Sequence, residues 1–317
     1  MYKRQLQKDG TPEFARPASN LALLYHSTGR YNKADSLTDL SLSIRGKYNK
    51  GEEDHSASIN NKAVLYKDMG RYNDAEKLIV ESVAMSAEKP GKKSLPYAIA
   101  LNNQAMLFQA VGRNEEAEKL IKECLEVAKL NLKESSSNYV KLTINLAHLY
   151  QGMAKYDEAE KVYLDAIRMK EKKLGKGHPD YAHLKRGLAT LYMDMGKNEK
   201  VEDLLKEATG IYKNKLGEQH PSYASTISDL GNYCRINNRL DEAAPLLAKA
   251  LEVRKKILGE NHPEYINSLE DHAIFEWQKN NMQEAKESYK KVIAATLGSV
   301  SYTHLRAHET KANLVCR

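Results

Sequence analysis

Apolar residues recur along this chain at helical spacing, and the helices they predict come in pairs. Between Asp180 and Met195, the residues Leu184, Leu188, Leu191 and Tyr192 share one face, with small Ala182 and Ala189 between them. Gly196 then allows a tight turn, because a residue without Cβ adopts φ > 0 at little cost. Val201, Leu204, Leu205, Ala208 and Ile211 form a second apolar face, and Gly217 stops that helix. The unit is therefore a helical hairpin with one sticky side.

The hairpin returns at a fixed interval. Gly29, Gly70, Gly112, Ala154, Gly196, Asn238 and Asn280 follow one another at steps of 41 and then 42 residues. Nine residues before them stand Asn20, Asn61, Asn103, Asn145, Gly187, Asp229 and Asp271. Five residues after them stand Ala34, Ala75, Ala117, Ala159, Val201, Ala243 and Ala285. A fixed period of this length predicts a solenoid, in which each unit buries its apolar face against its neighbours. The fold class is all-α, with about seven repeats near residues 12–52, 53–93, 94–135, 136–177, 178–219, 220–261 and 262–298.

The linking loops repeat as well. Gly-His-Pro-Asp-Tyr at 177–181 returns as Gln-His-Pro-Ser-Tyr at 219–223 and as Asn-His-Pro-Glu-Tyr at 261–265. Proline suits a first helical turn, where its missing N–H is no loss, and an acid just after it complements the helix dipole. Tyr181, Tyr223 and Tyr265 are expected to pack each new helix on the previous repeat. Pro12 opens the first hairpin, so residues 6–10 read as the end of an earlier helix.

The pattern LG-x-x-HP-x-Y, followed by N-x-A-x-L-Y-x-x-x-G-[RK]-[YN]-x-[ED]-A-[ED], resembles the tetratricopeptide repeat. Its 42-residue form is similar to the repeats of kinesin light chains. The resemblance spans about Pro12 to Leu297. It implies a right-handed α-solenoid of antiparallel helix pairs that holds partner peptides in its concave groove. It implies no particular partner, because the period encodes stacking and not a ligand.

Both ends carry a different signal. Residues 300–310 and 314–317 resemble one reading frame of a transposase sequencing adapter, and residues 1–5 resemble its opposite end. Residues 1–5 and 299–317 are therefore expected to be foreign, and residues 6–298 a piece of a longer array. Composition changes meaning accordingly. The whole chain has a net charge of +7, but without those ends 44 basic residues face 41 acidic ones. No nucleic-acid footprint is expected from that balance. No apolar run has the length of a membrane span. Cys124 and Cys234 fall in helical patterns and fit a reducing, cytoplasmic setting as small buried residues.

Candidate binding residues lie on the first helix of each repeat. The resemblance places Asn20, Asn61, Asn103 and Asn145 where such grooves present an asparagine to a bound peptide. A side-chain amide donates and accepts, so it can pair with an extended backbone. Lys141 stands four residues before Asn145. The row then turns to Gly187, Asp229 and Asp271, which predicts an acidic C-terminal stretch. The carboxylate clamp of chaperone-binding relatives is incomplete. Arg16, Asn20 and Asn61 fit its first two places, but Ile99 and Asn103 occupy the third. His148 and His183 are isolated candidates on the same side, while Trp277 fits either core or groove.

Enzyme chemistry has no support in the motifs. Neither a Gly-rich phosphate loop, nor G-x-S-x-G, nor H-E-x-x-H is present. His178, His220 and His262 recur one repeat apart, and stacked helices lie about 8–10 Å from one another. Ligands to one metal ion sit within about 2.1 Å of it. These histidines therefore read as loop caps, and no metal or cofactor is expected. Tyr25, Tyr66, Tyr150 and Tyr192 share one position and read as core. The leading function is a protein-protein interaction scaffold. Alternatives are the sensor or regulatory arm of a larger protein and a kinesin-light-chain-like cargo adaptor, although no heptad coiled coil is visible.

Overall fold

In a computed structural model of the chain, residues 12–48, 53–134, 136–260 and 262–299 are described. They form helical hairpins and, among the described residues, no strand. The first three pairs are α1 (Pro12–Ser27) with α2 (Tyr31–Tyr48), α3 (Glu53–Asp68) with α4 (Tyr72–Ser86), and α5 (Leu95–Ala110) with α6 (Asn114–Asn131). Four more follow: α7 (Ser137–Gly152) with α8 (Tyr156–Leu174), α9 (Pro179–Asp194) with α10 (Val201–Leu216), α11 (Pro221–Ile236) with α12 (Leu240–Leu258), and α13 (Pro263–Gln278) with α14 (Met282–Ser299). The helix expected at residues 6–10 and residues 1–5 and 300–317, expected to be foreign, lie outside the described residues. Two compact units result, one running to Asn131 and one from Leu132 to Gly298.

The turns inside the hairpins share one geometry. Gly29, Gly70, Gly112, Ala154, Gly196, Asn238 and Asn280 all have φ between 56° and 81°. At each, the next residue donates its N–H back to a carbonyl five residues earlier, as Arg71 does to Tyr66 at 2.8 Å and Lys197 to Tyr192 at 2.9 Å. This bond closes the Schellman motif, which satisfies carbonyls that a helix end leaves bare. Ala154 carries a Cβ in that left-handed region, where only Gly and, less readily, Asn sit without strain.

The loops between hairpins are capped from the side chain. The Nδ1 atoms of His178, His220 and His262 each accept the backbone N–H two residues on, at 3.1 Å. The proline between them supplies the first helical residue. Tyr223 packs on the cluster of Ala182, Ala208 and Tyr212 in the preceding repeat, as its position predicts. The Tyr181 hydroxyl donates to Glu207 at 3.3 Å, on the second helix of its own repeat, and Tyr97 does the same to Glu123 at 2.8 Å.

Small residues let the two helices of a hairpin close on each other. Ala98 and Cys124, Ala182 and Ala208, and Ala224 and Ala250 are all fully buried, each pair 26 residues apart. In the second repeat the same crossing is made by Ser56 and Ser82, whose hydroxyls are 3.3 Å apart, and Ser56 also meets Ser86 at 2.7 Å. Within each unit the first helices of successive repeats also touch, α1 on α3 and α3 on α5, then α7 on α9, α9 on α11 and α11 on α13. The second helices do not pair with one another to that degree, so the first helices line the tighter, inner side of each unit.

Candidate functional site

The inner side is built from the row that begins at Asn20. In the first unit Asn20 is exposed on α1, Asn61 is half-buried on α3, and Asn103 is half-buried on α5. Asn103 donates from Nδ2 to Asn60 at 3.1 Å and accepts from Asn102 at 3.3 Å. Its amide is thus engaged by the neighbouring helix. Asn20 and Asn61 make no side-chain hydrogen bond among the described residues.

In the second unit the row becomes charged. Arg186 donates from Nε to Asp229 at 2.5 Å, and Ser228 donates to Asp271 at 3.2 Å. Asn60 to Asn103, Arg186 to Asp229 and Ser228 to Asp271 share one rule. The residue just before the row on one repeat bonds to the row residue on the next. Burial pushes the Asp271 carboxyl above its usual range, against the pull of Asn232, Ser228, Arg254 and Arg235. The two acids therefore sit among cations, and the C-terminal stretch is mixed in charge. Lys141 is exposed on α7, and Asn145 is half-buried four residues on.

The gap in the row has a packing cause. A Cβ on Gly187 would lie 2.5 Å from Cε1 and 2.7 Å from the hydroxyl of Tyr163. The ring of Tyr163 is fully buried and fills the space a side chain at 187 would need. His148 meets that ring edge-on at 6.4 Å. Burial, helped by the Arg186 guanidinium, holds the imidazoles of His148 and His183 below their ordinary range, His183 at about 4.

Two ties between helices were absent from the sequence reading. Lys170 on α8, with no exposure, meets Asp180 at 2.7 Å, and Ser137 donates to the same oxygen at 2.6 Å. Arg254 on α12, nearly buried, stands 3.5 Å from Glu264 and donates to Ser225 at 3.0 Å and to Ser268. Both cations lie ten residues before an acid that also suits the helix dipole. The signal was the column itself: Arg45, Ser86, Ala128, Lys170, Tyr212 and Arg254 align at the repeat period, and all are buried.

The consensus letters prove to be contacts. The basic residue after the turn reaches back to the acid that closes the preceding repeat's motif. Arg113 meets Glu76 at 2.5 Å, Lys197 meets Glu160 at 3.2 Å, and Arg239 meets Glu202 at 2.9 Å. The same cation covers an aromatic ring, with Arg71 3.8 Å from the centre of Tyr66 and Arg113 3.7 Å from Phe108. Tyr66, Tyr150 and Tyr192 are buried, and Tyr25 is half-buried. Trp277, in contrast, is 51% exposed at the end of α13. Cys124 and Cys234 are buried, and burial pushes the Cys124 thiol up to about 12.

Helical hairpins closed by one repeated turn, tied to their neighbours and stacked on small residues, define an all-α solenoid of interaction repeats. Residues 54–129, 139–214 and 222–297 match the tetratricopeptide repeat, and the chain belongs to that family. It is a protein-interaction scaffold of a fold that is generally non-catalytic. No curated protein sequence matches it. Among solved structures, it is similar to the nearly identical TPR-like repeats of a putative kinesin light chain from Podosopora anserina, at 22% identity and a TM-score of 0.55, over 64% of this chain and 97% of that one. It is also similar to BtubC (BKLC) of P. vanneervenii, at 20% identity and a TM-score of 0.56, over 73% of this chain and 91% of that one. A Rap protein complexed with Competence and Sporulation Factor matches at 16% identity and a TM-score of 0.58, over 78% of this chain and 65% of that one. No described helix is long and apolar enough to cross a membrane.

Proposed function

We propose that the first helices hold an extended segment of a partner protein, and that Asn20 and Asn61 contact its backbone. The observation that carries this reading is the difference among the asparagines. Asn103 is bonded within the protein, whereas Asn20 and Asn61 present their amides on the inner side of the first unit. Lys141, Asn145, Asp229 and Asp271 form a second stretch in the other unit, suited by its mixed charge to a polar segment. The Rap protein that shares this fold is complexed with Competence and Sporulation Factor, which agrees with a ligand-holding role. On this reading the chain has no catalytic activity, no nucleic-acid partner and a cytoplasmic location. It serves as a scaffold, or as the sensing arm of a longer protein.

The test is selection of peptides on the purified protein, followed by Asn20→Ala with Asn61→Ala. We expect peptide affinity to fall about tenfold, since two hydrogen bonds at about 0.5–1.5 kcal/mol each are lost, with the melting temperature unchanged. Unaltered affinity in the double variant would remove these residues from the site.

A further inference from the structure

On α7, Lys141, Asn145 and His148 fall on one face at helical spacing, and on α9 His183, Arg186 and Thr190 do the same. The two helices touch within the second unit. Lys141 and His148 are exposed there, and His183 and Arg186 are half-buried. Burial, and then the charges of Arg186, His148 and Lys141, hold the His183 imidazole at about 4. Four nitrogen bases thus gather on two neighbouring helices, close enough for three of them to act on the fourth.

The acids around them are already engaged. Asp180 pulls the His183 value upward, but its carboxylate is held by Lys170 at 2.7 Å and by Ser137 at 2.6 Å. Asp229, from α11, is held by Arg186, on which Tyr212 of α10 also acts. Tyr163, from α8, meets His148 edge-on, and its hydroxyl has no hydrogen-bond partner. Burial pushes that phenol up and keeps it neutral, so it brings no negative charge. Among the described residues, Lys141, His148 and His183 make no side-chain hydrogen bond and no ion pair. The row explains the imbalance. Asp229 and Asp271 supply carboxylates in the next two repeats, whereas the ring of Tyr163 leaves Gly187 no room for any side chain. The bases are present and the row's acid is missing.

From this we infer that the face of α7 and α9 around Gly187 takes an aspartate or glutamate side chain from the partner segment. Its carboxylate meets the Lys141 ammonium and accepts N–H from His183 and His148, supplying the charge that the row omits. The row runs on from Asn145 on one side to Asp229 on the other. The segment therefore passes across this face, and a side chain rather than a chain end reaches the bases. Binding also carries a proton with it. A carboxylate beside His183 favours the imidazolium, so the bound state holds more protons than the free one. Affinity then rises as pH falls from about 7 to about 5.5, a range in which the carboxylate stays ionised. The inference rests on the reading of the first helices as a partner-holding face, and adds a residue type and a pH dependence at the second unit.

The experiment selects displayed random seven-residue peptides on the full chain, each joined to its carrier through its C-terminus so that no chain-end carboxylate is offered. Selection is expected to enrich aspartate or glutamate at one position. Amidated synthetic copies should bind Lys141→Glu, altered at an exposed site, about tenfold more weakly. Exchanging the enriched acid for its amide should weaken binding to wild type by a similar factor. Affinity for wild type should rise about threefold or more between pH 7 and pH 5.5, and less in His183→Gln. NMR of the His183 ring gives a second measurement: it should titrate at higher pH when peptide is bound. Peptides without an acidic preference, unchanged affinity in Lys141→Glu, or a His183 titration that peptide leaves in place would each overturn the inference. Dependence of the same peptides on Asn20 and Asn61 would still uphold the partner-holding face. If wild type selects no peptide, both readings fall together.

Discussion

At the scale of single residues, the turn positions give the clearest energetic statement. Gly196 has φ of 68°, and nothing lies within 4 Å of the Cβ that alanine would add. Gly196→Ala therefore tests backbone strain alone, and should lower unfolding free energy by about 1 kcal/mol. Ala154 already carries that strain at φ of 56°. Ala154→Gly should raise stability by about 0.5–1 kcal/mol, and denaturant titration of the two variants should move the midpoint in opposite directions. His183 supplies a pH dependence. Its folded-state value near 4 lies below the ordinary 6.5, so the unfolded chain binds more protons between those limits. Its contribution is fully present above about pH 6.5 and is lost as pH falls toward 4, by up to about 1.4 kcal/mol per pH unit. In His183→Gln that part of the slope should vanish from stability curves measured between pH 4 and 7.

At the scale of helices, the fit of one column against another decides what each position accepts. Tyr163 and Gly187 form a matched pair, large against small. Gly187→Ala alone should destabilise by about 1–3 kcal/mol, because the fully buried ring has no room to move. Adding Tyr163→Leu, the residue type at Leu205, should recover most of that loss. If the double variant is as unstable as the sum of the single ones, the pair does not couple through space. This fit also explains what was legible beforehand. The hairpins, their turns and the histidine caps followed from residues that act on their own backbone. Gly187 looked like an interruption of a binding row because its cause, Tyr163, lies 24 residues earlier on another helix. Lys170 and Arg254 were hidden for a related reason: a cation in an amphipathic helix reads as solvated until its burial is seen.

At the scale of the whole molecule, the repeat made the fold class and family readable from sequence, while the partner-facing chemistry was readable only in part. Asn103 and Asn61 are the same letter in the same column, yet the Asn103 side chain is bonded inside the protein and that of Asn61 makes no hydrogen bond among the described residues. The difference comes from Asn60 on the neighbouring helix, and not from either asparagine. Because neighbours carry the stability of such arrays, damage should stay local. Hydrogen exchange on Gly187→Ala should show lost protection in α8, α9 and α10, with α3, α4 and α5 little changed. Uniform loss across both units would show that they unfold as one.

The cations after the turns also join one repeat to the next. Arg113, Lys197 and Arg239 each reach an acid of the repeat before, and Glu160 and Glu202 are reached by the repeat after. The repeat that holds Lys197 and Glu202 thus carries a plug at one end and a socket at the other. Duplicating or removing that 42-residue block leaves each plug facing a socket of the same kind. A cut of a few residues strands both. The interval that first marks the sequence is also the smallest length by which the chain can be lengthened or shortened without leaving a broken joint.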